Sequence, residues 1–290
     1  MVKMRVLDFV EPLAEHLAGQ PADGVSLYWL GQAGFLIRAG GRTLLIDPYL
    51  SDSLAEKYRG TRFPHERMMP PPIAIGELPP VDCVLVTHQH TDHMDPQTLT
   101  PIAKAFPACR FVVPRASTEE AVKRIDVPPA RLVAMDAGES VEPLAGVRIH
   151  AVRAAHETLE RDTHGNHRFL GYVLETGGVR IYHSGDTVPF DGLVDDVKPL
   201  APDVALLPVN GRRPDLGANG VPGNLSLEEA VDLARALGAG AAVFHHYGLF
   251  AFNTADPRVI DAAVETAMRG CCETTLLRAQ TGREYRVSQS

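Results

Sequence analysis

The sequence lacks the features that mark membrane proteins and nucleic-acid-binding proteins. Its 290 residues contain no long apolar segment and no signal-peptide core near the N-terminus, so we expect a soluble, cytoplasmic protein without a membrane partner. Basic side chains are neither in excess nor clustered, since 28 Lys and Arg stand against 36 Asp and Glu, a net charge of −8. This balance argues against a nucleic-acid partner, because such proteins carry a basic patch.

Cysteine and aromatic residues are also scarce. The four cysteines show no CxxC spacing, and Cys271 and Cys272 are adjacent, which disfavours a bond between them. We therefore expect reduced thiols, as in a cytosolic protein. The chain is 45% hydrophobic but only 6% aromatic, which predicts a large and mostly aliphatic core. No serine or cysteine nucleophile stands out.

Potential metal ligands, by contrast, are concentrated in one short stretch. They follow an apolar run, residues 81–86, that predicts a buried strand, and they are His88, His90, Asp92 and His93. Imidazole and carboxylate groups suit zinc, manganese or iron. Where a chain leaves a strand, side chains two residues apart lie on the same side, so His88 and His90 can share one ion. Asp92 and His93 would then fall on the next turn, where a second ion would bind. A solvated loop that ends in a helix cap is the alternative, and the number of ligands disfavours it.

This HxHxDH pattern resembles the signature of the metallo-β-lactamase fold. The similarity extends from about Leu27 to Pro257 and is nearest to the L-ascorbate-6-phosphate lactonase branch of metal-dependent hydrolases. The matching segments are Trp29-Leu30-Gly31-Gln32-Ala33-Gly34, Gly185-Asp186-Thr187, Leu207-Pro208-Val209-Asn210-Gly211 and His246-Tyr247. The resemblance implies an α/β (α+β) fold of the four-layer αββα sandwich type, as a single domain over residues 1–290 with an N-terminal extension at 1–24. A two-sheet sandwich with flanking helices can reach this length as one unit.

The resemblance also implies roles for individual residues. The implied metal ligands are His88, His90 and His156 for the first site, Asp92, His93 and His246 for the second, and Asp186 as the bridge between the two ions. Asp47 matches an aspartate that supports the metal loop without binding metal. Two catalytic roles are expected: Asp92 would take part in proton transfer, and Asn210 would orient substrate or a metal-bound water.

The residues by themselves leave the last ligand open between His245 and His246. Both follow the apolar run 241–244, and because side chains alternate along a strand, only one of them can face the metal ions. Aligning Phe250 and the segment 255–257 with the similar family places the ligand at His246, and His245 is the alternative.

Local patterns predict the other elements. We expect the sheet to begin at Val25, a hairpin to span 169–183, strands to follow Glu273, and helices to cover 96–105, 117–124, 227–237 and 256–269. Among the remaining histidines, His183 is expected to pack inside a strand, and His16 and His167 to lie at the surface.

Two groups of cationic side chains are candidates for contact with an anionic substrate. Residues 51–80 are irregular and rich in proline, which is typical of a lid or a substrate loop, although a solvated surface loop fits as well. The basic side chains of this segment are Lys57, Arg59, Arg62, His65 and Arg67. Arg212 and Arg213 form the second group, again with a solvated position as the alternative.

Together these interpretations predict a metal-dependent hydrolase with two divalent ions, zinc or manganese. The ions would lower the pKa of a bound water toward neutrality, so that a metal-bound hydroxide attacks the substrate. The resemblance favours a lactone or ester of a small carbohydrate-like acid, phosphorylated or free, as an anionic small-molecule partner, and the chain is also a candidate homo-oligomer. The alternatives are a phosphodiesterase similar to N-acylphosphatidylethanolamine phospholipase D and a metal-bound sensor without turnover.

Overall fold

Two mixed β-sheets form the centre of the molecule, for which the computed structural model describes residues 2–19, 24–269 and 273–289. In spatial order, the strands of the first sheet are β1 (Val2–Asp8), β15 (Arg283–Gln289), β2 (Val25–Gly31), β3 (Gly34–Ala39), β4 (Arg42–Ile46), β5 (Cys83–Leu85), β6 (Arg110–Pro114) and β7 (Leu132–Met135). Those of the second are β14 (Thr275–Arg278), β13 (Ala241–His245), β12 (Val204–Pro208), β11 (Val179–His183), β10 (Leu170–Thr176), β9 (Val147–Arg153) and β8 (Ser140–Leu144). In each sheet four consecutive strands are parallel, β4 to β7 and β11 to β14, and the others pair antiparallel.

Helices cover the outer faces of both sheets. The described α-helices are α1 (Leu13–Gly19), α2 (Ser53–Lys57), α3 (Pro96–Ala105), α4 (Thr118–Ile125), α5 (Leu193–Val197), α6 (Pro214–Gly217), α7 (Leu227–Leu237) and α8 (Pro257–Arg269). Short 3-10 helices lie at Ile75–Glu77, Arg115–Ser117, Pro129–Arg131 and Lys198–Leu200. Buried side chains of α1, α3 and α4 pack on the first sheet, and those of α5, α7 and α8 pack on the second.

Alternation of side chains along the strands separates the two faces of the first sheet. In β2, Leu27 and Trp29 belong to the core between the sheets, whereas Tyr28 and Leu30 pack against the helices. Because both faces are covered, every residue of β2 is buried and the strand is largely apolar rather than alternating. Burying each such large apolar side chain contributes about 1.5–3 kcal/mol. The predicted four-layer αββα sandwich is confirmed.

The carboxyl ends of four strands supply the residues of chemical interest. Asp47 follows β4 and His88 lies just beyond β5, both in the first sheet, while Asp186 follows β11 and His246 follows β13 in the second. The hydrogen bonds between neighbouring strands fix the backbone of each of these four strands as far as its carboxyl end. Residues from both sheets thereby meet at one edge of the sandwich, which is where ligands bind in open α/β sheets.

The prediction that the sheet begins at Val25 is wrong, because β1 adds a strand before it. β1 pairs antiparallel with β15, so that Val2 lies opposite Gln289. This partner comes from the other end of the chain, and a local pattern cannot reveal it. The strand β8 and the helix α5 were also not predicted.

Two histidines that were expected at the surface are buried. The ring of His16 stacks on Phe9 at a centroid distance of 3.9 Å, and its Nε2 lies 3.2 Å from the buried Glu284. His167 Nδ1 lies 2.9 Å from Asp136 Oδ1. In both cases a carboxylate distant in sequence compensates the burial of the imidazole.

Other local predictions are confirmed. The hairpin of β10 and β11 is present, and strands β14 and β15 follow Glu273. The helix α7, which was also predicted, begins with a capping box of Ser226 and Glu229. Cys83 and Cys109 are buried free thiols, whereas the prediction for Cys271 and Cys272 lies outside the described residues. Among the helices described, none combines the length and the apolar character that crossing a membrane requires.

Candidate metal centre and substrate pocket

The loop after β5 is fixed to the end of β4 by Asp47. One oxygen of its buried carboxylate accepts from the Thr87 backbone N–H (2.8 Å), and the other accepts from the Thr87 hydroxyl (2.6 Å). Asp47 Oδ2 also lies 2.7 Å from His93 Nδ1. With Nδ1 directed at a carboxylate, His93 presents Nε2 to the rest of the cluster. The predicted supporting role of Asp47 fits this geometry.

The side chains predicted as ligands converge on one region. His88, His90 and His156 bring one ring nitrogen each within 4.8 Å of one another, and His88 Nε2 lies 2.9 Å from His90 Nδ1. Asp92, His93 and His246 form a second group within the same limit. Each group offers the three protein ligands that are usual for a catalytic zinc.

Asp186 lies between the two groups. Its Oδ2 is 3.2 Å from His246 Nε2 and 3.4 Å from His93 Nε2, both of the second group. The same oxygen is 3.7 Å from His156 Nε2 of the first group. This position suits a carboxylate that is shared by both groups.

Burial and charge set the protonation of the cluster. Burial lowers the pKa of His88 well below its usual value and that of His156 to about 4, so these rings are neutral near pH 7. His93 is the exception, because the carboxylates of Asp186, Asp47 and Asp92 together outweigh burial and raise its pKa well above the usual value. Three carboxylates around one imidazole make this region attractive to cations.

Several polar atoms of the cluster fit a metal because they make no other well-directed bond. Asp186 Oδ2 approaches His246 Nε2 and His93 Nε2 without the geometry of a hydrogen bond, and among the described residues nothing else bonds to these two buried nitrogens or to Asp186 Oδ1. Leaving a buried polar atom unpaired costs about 1–3 kcal/mol, so three in one place call for a ligand. Imidazole nitrogen and carboxylate oxygen are suitable donors for zinc or manganese.

Backbone strain is concentrated around the same cluster. Six non-glycine residues of the described chain have a positive φ; three of them, Gln32, Asp47 and His246, belong to the site, and a fourth, Glu157, directly follows His156. Such conformations cost of order 1–3 kcal/mol each and persist where the surrounding structure holds them. His246 lies just past the end of β13 with φ 62°. This left-handed backbone ends the extended conformation of the strand and sets the direction of the His246 ring.

His245 lies outside the cluster. Its ring stacks on His183 at 5.0 Å and meets Phe35 edge-on at 5.3 Å, inside the core. The structure thus brings His246, and not His245, to the other predicted ligands. The predicted packing of His183 is confirmed, since its Nε2 lies 2.8 Å from the Ala33 carbonyl and the residue is fully buried.

A pocket of about 460 Å³ opens beside the cluster. His90, Asp92, His156, Asp186 and His246 form part of its lining. Other lining residues come from α2 and the segment after it, from residues 219–222, and from Phe250, Phe252 and Asn253. Part of the 51–80 segment therefore lines the pocket, through Leu54, Lys57, Tyr58, Thr61, Arg62, Phe63 and His65.

Other predicted substrate residues are engaged elsewhere. Asn210 is absent from the pocket lining, and its amide donates to Asn253 Oδ1 and accepts from Asn224, both at 3.0 Å. The predicted role of Asn210, to orient substrate or a metal-bound water, stays a prediction, and the amide that lines the pocket is that of Asn253. Arg212 pairs with Glu229 at 2.6 Å, and Arg213 donates to the Phe252 carbonyl at 2.8 Å.

The remaining arginines of the 51–80 segment, Arg59 and Arg67, do not line the pocket. Arg59 is exposed and does not line the pocket. Arg67 donates to three backbone carbonyls, those of Tyr49, Ser51 and Met69, at 3.1–3.2 Å. Its guanidinium thereby connects residues 49–51 to Met69 and holds the segment against the fold.

Gln32 is a site residue that the sequence analysis did not single out. Its Nε2 donates to Asp92 Oδ2 at 2.9 Å, and its carbonyl accepts from the His246 backbone N–H at 2.9 Å. Gln32 thereby ties the turn between β2 and β3 to two proposed ligands. Two signals in the sequence pointed to it: its place in the turn between Gly31 and Gly34, and its position within a segment that matches the resembling family.

The fold and the site define a metal-dependent hydrolase of the β-lactamase superfamily. The model of the family described as the β-lactamase superfamily domain matches residues 42–247, which include all seven proposed ligands. UPF0173 metal-dependent hydrolases are similar over most of their length. That of Myxococcus xanthus is 30% identical over 229 residues (77% of this chain, 70% of the relative), and that of Cupriavidus taiwanensis 32% over 212 residues (67% and 67%). The chain belongs to the UPF0173 metal-dependent hydrolase family.

Solved structures of low identity share the fold. A metallo-hydrolase of Ignicoccus hospitalis superposes with a TM-score of 0.64 at 20% identity, covering 92% of this chain and 99% of the other. An isothiocyanate hydrolase from Delia radicum gut bacteria gives 0.70 at 18% identity, with 91% and 98% covered. These comparisons show the family and the fold, but not the lactonase branch that the sequence pattern resembles.

Proposed function

We propose that this hydrolase opens a lactone or related ester of a small, anionic, carbohydrate-like acid, phosphorylated or free, with two divalent ions, zinc or manganese. The observation that carries the proposal is the set of unpartnered ligand atoms of the cluster beside a pocket that is lined by two exposed cations without an ion pair, Lys57 and Arg62. A volume of about 460 Å³ lies in the range of small-molecule sites.

The chain's own residues have distinct tasks in this proposal. His88, His90 and His156 would hold one ion, Asp92, His93 and His246 the other, with Asp186 between them. Bound there, such ions supply Lewis-acid chemistry and an activated water at neutral pH.

Asp92 is the proposed proton acceptor. Its Oδ2 is oriented by Gln32 at 2.9 Å, and the residue lines the pocket. Burial would raise the pKa of Asp92, but the neighbouring His93 and His246 lower it below the usual value, so the carboxylate is ionised near pH 7. An oriented and ionised carboxylate at the wall can take a proton from a reacting group within hydrogen-bond reach.

Lys57 and Arg62 support an anionic substrate. Both are exposed at the pocket, and in the described part of the chain neither has a carboxylate within ion-pair distance. Each lies over an aromatic ring, Lys57 Nζ 5.1 Å from the centre of Tyr58 and the Arg62 guanidinium 5.2 Å from that of Phe63. Free cations at a mouth attract anions and offset the net negative charge of the protein.

The same two cations also suit a phosphate, which keeps a phosphodiesterase similar to N-acylphosphatidylethanolamine phospholipase D as the second candidate. The test is a panel of sugar-acid lactones, carboxylic esters and phosphodiesters, assayed with protein purified without chelator and then given zinc or manganese. We expect turnover of lactones or esters. Turnover of phosphodiesters alone would favour the second candidate, and tight metal binding without any turnover would favour a sensor.

A further inference from the structure

His65 lies in an aromatic enclosure on the pocket wall, built by two separate segments of the chain. Its ring stacks on Tyr58 at 4.2 Å with an interplanar angle of 24°. Phe250 and Phe252 approach edge-on, at centroid distances of 5.0 and 4.7 Å. All four residues line the pocket. The orientation of the imidazole is thus fixed by packing on several sides.

A backbone contact determines which nitrogen of His65 carries the proton. Nδ1 lies 2.8 Å from the Phe63 carbonyl, which can only accept, so Nδ1 must donate. The neutral ring then has its lone pair on Nε2. In the described part of the chain no group hydrogen-bonds to Nε2. Burial lowers the pKa of His65 below its usual value, which keeps the ring neutral at pH 7.

The enclosure itself is held firmly. Arg213 donates to the Phe252 carbonyl at 2.8 Å, and Arg67 pairs with Phe250 in an isolated β-bridge. Both contacts tie the walls to other segments of the chain. A preformed site loses less conformational freedom when it binds.

We infer that His65 is a specificity residue whose Nε2 accepts a hydrogen bond from a hydroxyl group of the substrate. This inference rests on the proposed function and narrows it to polyhydroxylated acids. A carbohydrate-like molecule fits all three features of the wall: C–H groups against the apolar side chains of Phe250 and Phe252, a hydroxyl at His65, and an acidic group at Lys57 and Arg62. His65 thus recognises a neutral hydroxyl donor, while Lys57 and Arg62 bind the negatively charged group of the substrate.

The test compares binding of gluconate and hexanoate to the metal-loaded protein by calorimetry. Both probes are six-carbon monoanions, and they differ by the hydroxyl groups. We expect gluconate to bind more tightly than hexanoate. The Kd of hexanoate divided by the Kd of gluconate should fall about five- to ten-fold in His65→Phe, because this variant keeps the aromatic packing but lacks the acceptor nitrogen. His65→Gln, which again offers a donor and an acceptor, should restore part of the preference.

His164→Phe is the matched control, because His164 is exposed and does not line the pocket. An unchanged ratio in His65→Phe, or no binding of gluconate to the wild-type protein, overturns the inference. Circular dichroism of each variant verifies folding. Lactone hydrolysis is measured separately. A gluconate preference that is unchanged in His65→Phe, with lactone turnover intact, rejects only the role of His65, whereas a preference that falls in His65→Phe without turnover of any lactone or ester by the wild-type protein rejects only the proposed reaction.

Discussion

Asp47 accepts a hydrogen bond from His93 across 2.7 Å, and both side chains are completely buried. The bond connects the end of β4 to the loop after β5 and decides which nitrogen of His93 faces the cluster. Asp186 contacts the other side of the same ring, with Oδ2 3.4 Å from Nε2. Two carboxylates therefore flank one imidazole, the first as a support and the second as a proposed ligand.

This arrangement predicts different effects of neutralising the two carboxylates. Asp186→Asn removes a charge between the proposed ions, so metal content and turnover should be lost together and should not return with excess metal. Asp47→Asn keeps an oxygen that can accept from His93, so metal affinity should fall about 10–100-fold and metal content should recover when metal is added. Plasma emission analysis over a series of metal concentrations checks both variants. Equal and irreversible metal loss in the two proteins would contradict the assignment.

Truncation of the adjacent histidines should separate metal binding from folding. His246→Ala removes a proposed ligand of the second site, so about one ion per chain should be lost while part of the His88, His90 and His156 site stays filled. His245→Ala leaves a cavity beside Phe35 and His183 and should cost about 2–4 kcal/mol of unfolding free energy without loss of an ion. Metal stoichiometry and urea denaturation of both variants are the measurements. If only His245→Ala loses the second ion, the assignment of His246 is wrong.

Neutralising the cations at the pocket mouth should weaken the use of anionic substrates. Lys57→Gln and Arg62→Gln should each lower kcat/KM about two- to five-fold for an anionic ester or lactone, because exposed charges contribute little individually. The loss should shrink as ionic strength rises. Arg59→Gln is the control, since Arg59 lies in the same segment but does not line the pocket. The charge hypothesis fails if a neutral ester loses as much as the anionic one.

Protonation of Glu284 should lower the free energy of unfolding at acid pH. Burial alone would raise the pKa of this carboxylate, but hydrogen bonds from Arg286, Ser26 and His16 lower it below its usual value of 4.5. A lowered folded-state pKa means that the carboxylate stabilises the protein above about pH 4.5, and that this contribution is lost as the pH falls through the folded-state pKa.

Glu284→Gln should therefore reduce stability at pH 7 by about 1–3 kcal/mol and leave a smaller decline of stability below pH 4.5. Urea denaturation at a series of pH values measures this difference. Glu119→Gln, a change at an exposed position of α4, should leave the curve unchanged. A Glu284→Gln protein with the wild-type acid dependence would show that other carboxylates cause the decline.

The sequence by itself determined the residue types of the site and most of the elements that carry them. The HxHxDH stretch follows an apolar strand, and both features are local, so the ligand types and the hairpin before Asp186 could be predicted from short patterns. The resemblance then added His156, Asp186 and His246, which are too far apart in sequence for spacing to connect them.

Tertiary structure decided whatever depends on contacts between distant residues. The pairing of β1 with β15, the burial of His16 against Glu284 and the link from Gln32 to Asp92 all join segments that no local window contains. The choice between His245 and His246 also depended on tertiary structure. Alternation along the strand showed that only one of the two can face the predicted ligands, and the left-handed backbone at His246 sets the direction of its ring. The sequence specified which groups are available, whereas packing determined which of them face the pocket, because orientation depends on neighbours supplied by both sheets.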